Sequence, residues 1–365
     1  MSSSPRDPRL DGWRGLAITL VLVGHFIPGL GFAAQAGVEF FFALSGVLMA
    51  DLLVRDRQPI GIFLWRRAVR IYPALLVYVV AITAVLAAAS LLHDDVFKWR
   101  SPAAALLLVH NYLPLGDATP LFEHSWSLAV EEHSYLLLLL LVWLGRRHGI
   151  GPALLAASLA VLLIMRGALL SDAQGNNVQS LFWRSDVRAA SILLPFAVRI
   201  AMRHGDARWL EWVSPFFGVF AISTLVGYAT LPPHSWIAVA SGSVCATGAV
   251  NLLGANRVAG PAIIEAPLLR VIAAYSFSLY LWQQFFYVLT HNGLPAALAV
   301  PPLIACAVLS YRLVERPSRL WGQKVFPRTG AAASRGPIEV DHNEREPALF
   351  RTGSPLPHKE GRVRR

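Results

Sequence analysis

The chain has 365 residues, of which 55% are hydrophobic and only 15% are charged. Its mean hydropathy is +0.50, whereas soluble domains carry about 25% charged residues, so the composition excludes an ordinary soluble domain and predicts a polytopic membrane protein. The formal net charge of +10 would suggest nucleic acid as the partner of a soluble chain, but Lys and Arg cluster in short loops between apolar runs, which indicates membrane orientation and no nucleic-acid binding.

Ten apolar runs, each near the roughly 20 residues needed to cross a bilayer, predict an all-α membrane bundle of about ten transmembrane helices. The first run is too long for a signal peptide and lacks a small-residue cleavage site, so we expect it to be retained. Cys245 and Cys306 lie in apolar runs, so neither a disulfide framework nor a metal site is predicted. The runs are approximately Leu10–Gly31, Ala36–Val54, Tyr72–Leu92, Ser125–Leu144, Pro152–Leu170, Ala189–Met202, Val213–Leu231, Trp236–Gly254, Leu268–Thr290 and Pro295–Val314.

Basic loops alternate with loops that are poor in cations, and this alternation decides the predicted orientation. Residues 32–35, 232–235 and 291–293 contain no Lys or Arg, so an even number of spans with both termini in the cytoplasm fits best. The segment 103–112 is too short to span and predicts an interfacial or re-entrant piece. The basic residues that follow every second run are Arg55, Arg57, Arg66, Arg67, Arg70, Arg146, Arg147, Arg199, Arg203, Arg208, Arg257, Arg270, Arg312, Arg316 and Arg319.

The composition changes near the end of the chain. After Pro317 it is rich in Arg, Pro, Gly, Ser and Glu, with few large apolar residues. Such a segment buries too little apolar surface to fold. We therefore expect a transmembrane domain over residues 1–320 and a disordered cytoplasmic tail over residues 321–365.

Two ionisable residues mark the first predicted helix. Arg14 lies near its start, and His25 lies eleven positions later inside the apolar run, roughly 16 Å further along the helix axis. A polar residue at that depth costs a few kcal/mol unless it faces a cavity or a partner, so His25 is a candidate base or nucleophile. The alternative is that Asp11 caps the helix, Arg14 follows the orientation bias and His25 is a packed polar residue.

Two further segments follow in the second and third runs. Ser45 and Gly46 permit close helix packing, and Glu39 is expected near the outer end of the second helix. Arg67 and Arg70 are three residues apart and would share a helix face. Paired guanidinium groups at a membrane boundary suit bidentate phosphate recognition, although orientation alone would also place them there.

The fourth run begins with polar groups of catalytic type. Trp126 and Ser127 precede Glu131 and Glu132, and a helix that enters from the outside places Glu131 roughly 9 Å deep. His25 is roughly 22 Å up a 30 Å core when counted from the inner surface, so the two groups lie at nearly the same depth. A carboxylate that orients an imidazole is a general acid–base arrangement. The alternative is that Glu131 and Glu132 only cap and solvate the N-terminus of this helix.

Together with the aromatic segment around Tyr280 and the closing Glu315-Arg316-Pro317, these segments resemble the acyltransferase-3 family of integral membrane acyltransferases. Arg14 and His25 match its basic residue and histidine, Arg67 and Arg70 its Arg-x-x-Arg pair, and Trp126-Ser127-Leu128 with Glu131 its Trp-Ser-Leu element. The matching stretches extend from Arg9 to Pro317. Gln283 departs from the family, because many members have histidine there, and His133 and Ser134 replace residues that are commonly Gln and Phe.

The resemblance implies an O-acyltransferase in a bacterial plasma membrane that uses acyl-CoA, with acetyl-CoA as the expected form, as co-substrate and that has no bound cofactor. We expect Arg14, Arg67 and Arg70 to hold the donor and His25, oriented by Glu131, to act as general base or acyl carrier. Trp126, Ser127 and Tyr280 are expected to contact substrate. The acceptor would be a hydroxyl of a carbohydrate, glycolipid or macrolide-type molecule at or beyond the outer face, with membrane lipid around the chain.

Two other functions fit buried His and Glu residues. A proton-coupled transporter also uses such groups, but the sequence has no pair of matching broken helices. A non-catalytic membrane scaffold is the second alternative, and it predicts that His25 is replaceable without consequence. Because the chain ends soon after the tenth run, we expect it to complete transfer alone or to hand the acyl group to a separate protein.

Overall fold

The structure is a computed structural model and describes residues 8–90, 98–114, 116–174, 182–204, 212, 214–232, 235–255 and 264–326. Regular secondary structure in these ranges is entirely helical, which confirms the predicted all-α class. Two π-helical segments, Asp51–Arg55 and Tyr311–Glu315, directly follow the helices that end at Ala50 and Ser310. The helices are α1 (Pro8–Phe26), α2 (Gly31–Ala50), α3 (Ile60–Ser90), α4 (Arg100–Leu106), α5 (Ser125–His148), α6 (Pro152–Gln174), α7 (Ser185–Arg188), α8 (Ala190–His204), α9 (Phe217–Thr230), α10 (Trp236–Ala255), α11 (Pro267–His291), α12 (Ala296–Ser310) and α13 (Arg316–Val325).

Five helical segments are long and apolar enough to cross a membrane, which supports a multi-span membrane protein. The count of ten spans and the cytoplasmic position of both termini stay predictions. The seven-residue helix α4 is too short to span, in agreement with the sequence analysis. The five segments are Gly31–Arg55, Ile60–Ala89, Ser125–His148, Pro152–Ser171 and Ala296–Val325.

Two helix boundaries differ from those predicted. Helix α3 begins at Ile60 instead of Tyr72 and contains Pro73, so the basic segment before Tyr72 is helical. Near the end of the chain, Pro317 does not stop the helix: it lies in the first turn of α13, directly after the π-helical segment Tyr311–Glu315, and the helix continues to Val325. The predicted domain boundary at residue 320 therefore falls inside α13. Residues 327–365 of the predicted tail, with Arg208 and Arg257, lie outside the described residues.

Glycines allow α1 to pack closely against both α2 and α11. A Cβ atom added to Gly24 would lie 2.3 Å from the backbone nitrogen of Ala34 in α2, and one added to Gly15 would lie 2.1 Å from the carbonyl oxygen of Leu269 in α11. Real Cβ atoms do not approach a backbone so closely, so only glycine fits at these contacts. Helix α1 therefore holds its functional candidates directly against two neighbouring helices.

A buried ion pair joins α2 to the other half of the bundle. Arg188 Nη2 of α7 donates to Glu39 Oε2 at 2.7 Å, and both side chains are 0% exposed. Tyr228 of α9 and Ser243 of α10 also donate to this carboxylate, each at 2.8 Å. Glu39 is thus a fully buried junction of four helices, and an uncompensated charge here would be strongly destabilising.

Candidate active site

A pocket lies between α1, α2, α3, α5 and α11, and six of the eight residues singled out from the sequence line it. The empty space in it, including the part open to solvent, is about 740 Å³, and most of the other lining side chains are apolar. His25 and Trp126 are not among the lining residues. The six residues that line the pocket are Arg14, Arg67, Arg70, Ser127, Glu131 and Tyr280.

Arg67 and the two adjacent carboxylates of α5 form the centre of the pocket wall. Arg67 Nη2 lies 2.8 Å from Glu131 Oε1, and its Nε donates to Glu132 Oε1 at 2.5 Å. Ser45 Oγ and Tyr135 OH donate to Glu131 at 2.7 and 2.5 Å. The Arg67 guanidinium also lies over the Tyr135 ring, 4.4 Å from its centroid. The positive charge of Arg67 is therefore compensated within the protein.

These contacts correct the expected pairing of Glu131 with His25. Among the described residues, Glu131 has Arg67, Ser45 and Tyr135 as its partners, and it makes no contact with the imidazole. Equal depth along two helices did not bring the groups together, because α5 presents Glu131 to α3 and α2 while His25 lies against α11.

Arg70 has a different environment from Arg67. It lines the same pocket and lies close to Arg14, Arg67 and Arg319. Within the described part of the chain it makes no hydrogen bond or ion pair, whereas Arg14 lies 3.4 Å from Asp11 and Arg319 lies 3.2 Å from Glu315. Several guanidinium groups thus meet at this end of the pocket, and an anion there would find charge that the protein does not itself neutralise.

The opposite end of the pocket is closed by a short hydrogen-bonded chain. Ser127 Oγ and Tyr280 OH are 2.5 Å apart, and Tyr280 OH also donates to the backbone carbonyl of His124 at 2.7 Å. The structure therefore brings together Ser127 and Tyr280, both expected to contact substrate, and it places His124 directly behind them.

His25 lies beyond this end of the pocket, inside the bundle. Its ring centroid is 4.5 Å from that of Tyr287 in α11, and the side chain of Gln283 lies beside it. The buried Nδ1 atom of His25 has no hydrogen-bond partner among the described residues. Its imidazole therefore faces polar and aromatic groups of α11.

Trp126 neither lines the pocket nor lies beside His25. Its side chain is buried, and its ring packs edge-on against Phe42 and Phe182, with centroids 5.9 and 5.7 Å away. The guanidinium of Arg188 lies 5.7 Å from its centroid. Because Phe42 does line the pocket, Trp126 supports the wall from behind and does not itself reach the cavity.

The segment before α5 carries two titratable groups with shifted pKa values. Burial raises the pKa of the Glu123 carboxyl above its ordinary value, and burial lowers the pKa of His110 to about 4. The neutral His110 ring lies 2.9 Å from Ser101 Oγ through Nε2. Both shifts favour the neutral form, as expected where a side chain leaves water without a counter-charge.

Sequence reasoning did not identify Tyr135 and Ser45 as partners of Glu131. Tyr135 follows Glu131 by four residues in the same helix, so helical spacing alone could have placed their side chains together. Ser45 was expected only to permit close packing, and its contact with Glu131 depends on α2 lying beside α5. No group of three or more potential metal ligands occurs among the described residues.

Comparison with known proteins adds independent information. The profile of the acyltransferase-3 family, described as an acyltransferase domain, matches residues 7–313. The protein named "Putative O-acetyltransferase SACOL0978" from Staphylococcus aureus strain COL is 26% identical over 359 residues, covering 87% of this chain and 58% of its own length. O-acetyltransferase OatA from S. aureus strain NCTC 8325 is 25% identical over 371 residues, covering 88% of this chain and 59% of its own length. The chain thus spans less than two thirds of these relatives, and no solved structure matches it.

Proposed function

The chain belongs to the acyltransferase-3 family, and from this premise we propose that it is a membrane-embedded O-acyltransferase. It moves an acyl group, with acetyl as the simplest case, from cytoplasmic acyl-CoA to a hydroxyl of a carbohydrate, glycolipid or macrolide-type acceptor. The observation that carries the proposal is a pocket with guanidinium groups at one end and hydroxyl groups at the other, inside a helical membrane bundle.

The basic end of the pocket is proposed to bind the donor. Coenzyme A carries three phosphate groups, and guanidinium groups bind phosphate through paired, charge-assisted hydrogen bonds. Arg70 is the main candidate, with Arg14 beside it, because Arg67 already binds two carboxylates. Arg67 is therefore reassigned from a phosphate ligand to a residue that holds the pocket wall together.

The apolar side chains that line the pocket suit the pantetheine arm, which would carry the thioester towards Ser127 and Tyr280. His25 lies beyond that pair, so transfer requires their hydrogen bond to open. We place the acceptor hydroxyl at His25, where a neutral imidazole nitrogen can take its proton.

In the first route, His25 acts as a general base. The acceptor oxygen attacks the thioester carbonyl carbon, the new C–O bond forms and the C–S bond breaks. The hydroxyl proton passes to His25 and from there to the departing thiolate, so CoA leaves as the free thiol. In the second route His25 attacks first and carries the acyl group as an acyl-imidazole, which the acceptor then cleaves. An intact-mass measurement after incubation with acetyl-CoA alone separates the two routes, because only the second adds an acetyl group to the protein.

The family and the apolar helices support a position in the bacterial plasma membrane as a multi-pass protein. We propose ten spans with both termini in the cytoplasm, since the basic loops alternate in that sense. This orientation opens the arginine end towards cytoplasmic acyl-CoA and places His25 nearer the outer face.

Inverted membrane vesicles from cells with and without the gene test the proposal. Acetyl-CoA labelled in its acetyl group is supplied to the exposed cytoplasmic face, and alkali-labile label is measured in extracted glycans and lipids. We expect ester-linked label only when the gene is present, with mass spectrometry identifying the labelled molecule. Equal label in both preparations would overturn the assignment.

A further inference from the structure

One face of α11 contacts the imidazole of His25. Gln283 and Tyr287 are four residues apart in α11, so their side chains lie one above the other on the same face. The Tyr287 ring centroid is 4.5 Å from that of His25, and the side chain of Gln283 makes a hydrogen bond to the His25 ring. Two successive turns of α11 therefore contact this imidazole.

Helix packing holds the backbone of His25 at this face. Gly15 of α1 allows the carbonyl of Leu269 in α11 to approach closely, and Phe26, the residue after His25, packs in an apolar cluster with Phe286 of α11. These contacts fix α1 against α11 on both sides of position 25. The orientation of the ring is then set by its own contacts with α11.

The polarity of Gln283 serves no other contact in the described part of the chain. The residue is 0% exposed, and neither atom of its amide has another hydrogen-bond partner there. Burying an amide costs free energy that hydrogen bonds must offset, and a methionine of similar length would fill the space without this cost. The neighbouring Gln284 differs, because it donates to the carbonyl of Pro120 at 2.6 Å. The amide of Gln283 is thus explained only by His25.

The two ring nitrogens of His25 have different environments. Nδ1 is buried and has no hydrogen-bond partner among the described residues, so the bond with Gln283 is made at Nε2. A neutral imidazole carries a proton on one nitrogen and a lone pair on the other, and a hydrogen bond at one nitrogen decides which is which. When Gln283 Oε1 accepts the N–H of Nε2, the lone pair lies on Nδ1, the nitrogen that the protein leaves free.

We propose that Gln283 is a positioning residue for acyl transfer: its Oε1 accepts the Nε2–H of His25 and keeps the lone pair on Nδ1. This inference rests on the proposed O-acyltransferase function and deepens it by naming the atom that reacts. In the first route Nδ1 takes the proton of the acceptor hydroxyl and passes it to the departing thiolate. In the second route Nδ1 attacks the thioester carbonyl carbon, and the proton of the acceptor later neutralises the thiolate. Nε2 keeps its proton in both, and Gln283 neither gives nor takes one.

Two substitutions at position 283 of the full chain test the hydrogen bond and its direction. Gln283→Met keeps the length of the side chain and removes the acceptor, so ester-linked label in the vesicle assay should form at least tenfold more slowly. The Kd for CoA should stay within twofold, because Gln283 does not line the pocket. Gln283→Glu supplies carboxylate oxygens that only accept, and it should restore the rate to within threefold of the natural value. A glutamate variant as slow as the methionine variant would show that Gln283 donates to the ring, which would overturn the inference.

Gln284→Met is the matched control, one residue away in the same helix. It removes the hydrogen bond to the Pro120 carbonyl, so the thermal midpoint should fall while the rate of transfer by folded protein stays within twofold. Equal slowing by Gln283→Met and Gln284→Met would show that any loss of a buried amide from α11 has this effect, and the inference would fail.

NMR of the natural protein tests the same claim without a substitution at position 283. With nitrogen-15 in the histidine rings, the chemical shift of each nitrogen shows whether it carries a proton, and comparison with His25→Ala identifies the signals of residue 25. We expect a proton on Nε2 and none on Nδ1, and this spectrum alone decides if Gln283→Met does not fold. A proton on Nδ1, or transfer at the natural rate by Gln283→Met, would overturn the inference and leave the enzyme assignment intact. Absence of label with the natural protein would instead refute the proposed function.

Discussion

Replacing Arg70 by glutamine should weaken donor binding without unfolding the protein. Arg70 lines the pocket among other cations and has no ion-pair partner among the described residues, so the fold gains nothing from its charge. A hydrogen bond to a charged group contributes about 1.5–3 kcal/mol, and about 1.4 kcal/mol corresponds to a tenfold change in affinity. We therefore expect the Kd for CoA, measured by calorimetry on the purified protein, to rise about 10- to 100-fold while the thermal midpoint is unchanged or higher.

Arg67→Gln is the matched control, three residues away on the same helix. Arg67 binds Glu131 and Glu132 and its side chain is only 13% exposed, so its removal leaves two adjacent carboxylates without their counter-charge. Breaking a buried ion pair on one side costs about 3–5 kcal/mol, and a clear fall of the thermal midpoint is expected. An unchanged CoA affinity in Arg70→Gln would refute the assignment of the arginine end, and equal thermal midpoints in both variants would refute the distinction between the two arginines.

Three further predictions concern the ion pair of Glu39, the hydrogen bond of Tyr280 and the pKa of His110. Glu39→Gln should lower the free energy of unfolding by about 3–5 kcal/mol, because it leaves the fully buried Arg188 without its counter-charge; a thermal midpoint equal to that of the natural protein would contradict this. Tyr280→Phe leaves the carbonyl of His124 without its donor and should cost about 1–3 kcal/mol, with CoA affinity within twofold; a loss of affinity as large as that of Arg70→Gln would be inconsistent with its position. Burial lowers the pKa of His110 to about 4. Between about pH 6.5 and pH 4 the unfolded chain therefore binds a proton at His110, whereas the folded chain does not. That part of the stability, about 3 kcal/mol in full, is present above pH 6.5 and is lost as the pH falls towards 4, and His110→Gln should show a smaller decline between pH 7 and 5 than the natural protein.

The helical class and six of the residues that line the pocket could be predicted from the sequence. Long apolar runs must satisfy their backbone hydrogen bonds internally, so they are helices wherever they cross lipid. An ionisable residue inside such a run needs a partner or a cavity, and this requirement marked His25. Arg67 was marked by its spacing from Arg70, and Glu131 by its depth along the helix. Both arguments need only the order of residues along one helix.

The partners of these residues required knowledge of which helices are neighbours. Depth calculations placed Glu131 level with His25, but depth says nothing about the direction in which a helix presents its side chains. The carboxylate faces Arg67 and Ser45 instead. Gln283 illustrates the same point: the sequence marked it as a departure from the family, and only the packing of α11 against α1 places it beside His25.

The initial rate of acetyl transfer by His25→Ala in inverted vesicles tests the central claim most directly. General acid–base catalysis by a positioned side chain contributes about 10²- to 10⁴-fold, so we expect the rate of ester-linked labelling to fall by at least about 100-fold. CoA affinity should stay within twofold of the natural value, since His25 does not line the pocket. A variant that folds, binds CoA and retains more than about a tenth of the natural rate would show that this imidazole does not carry the reaction.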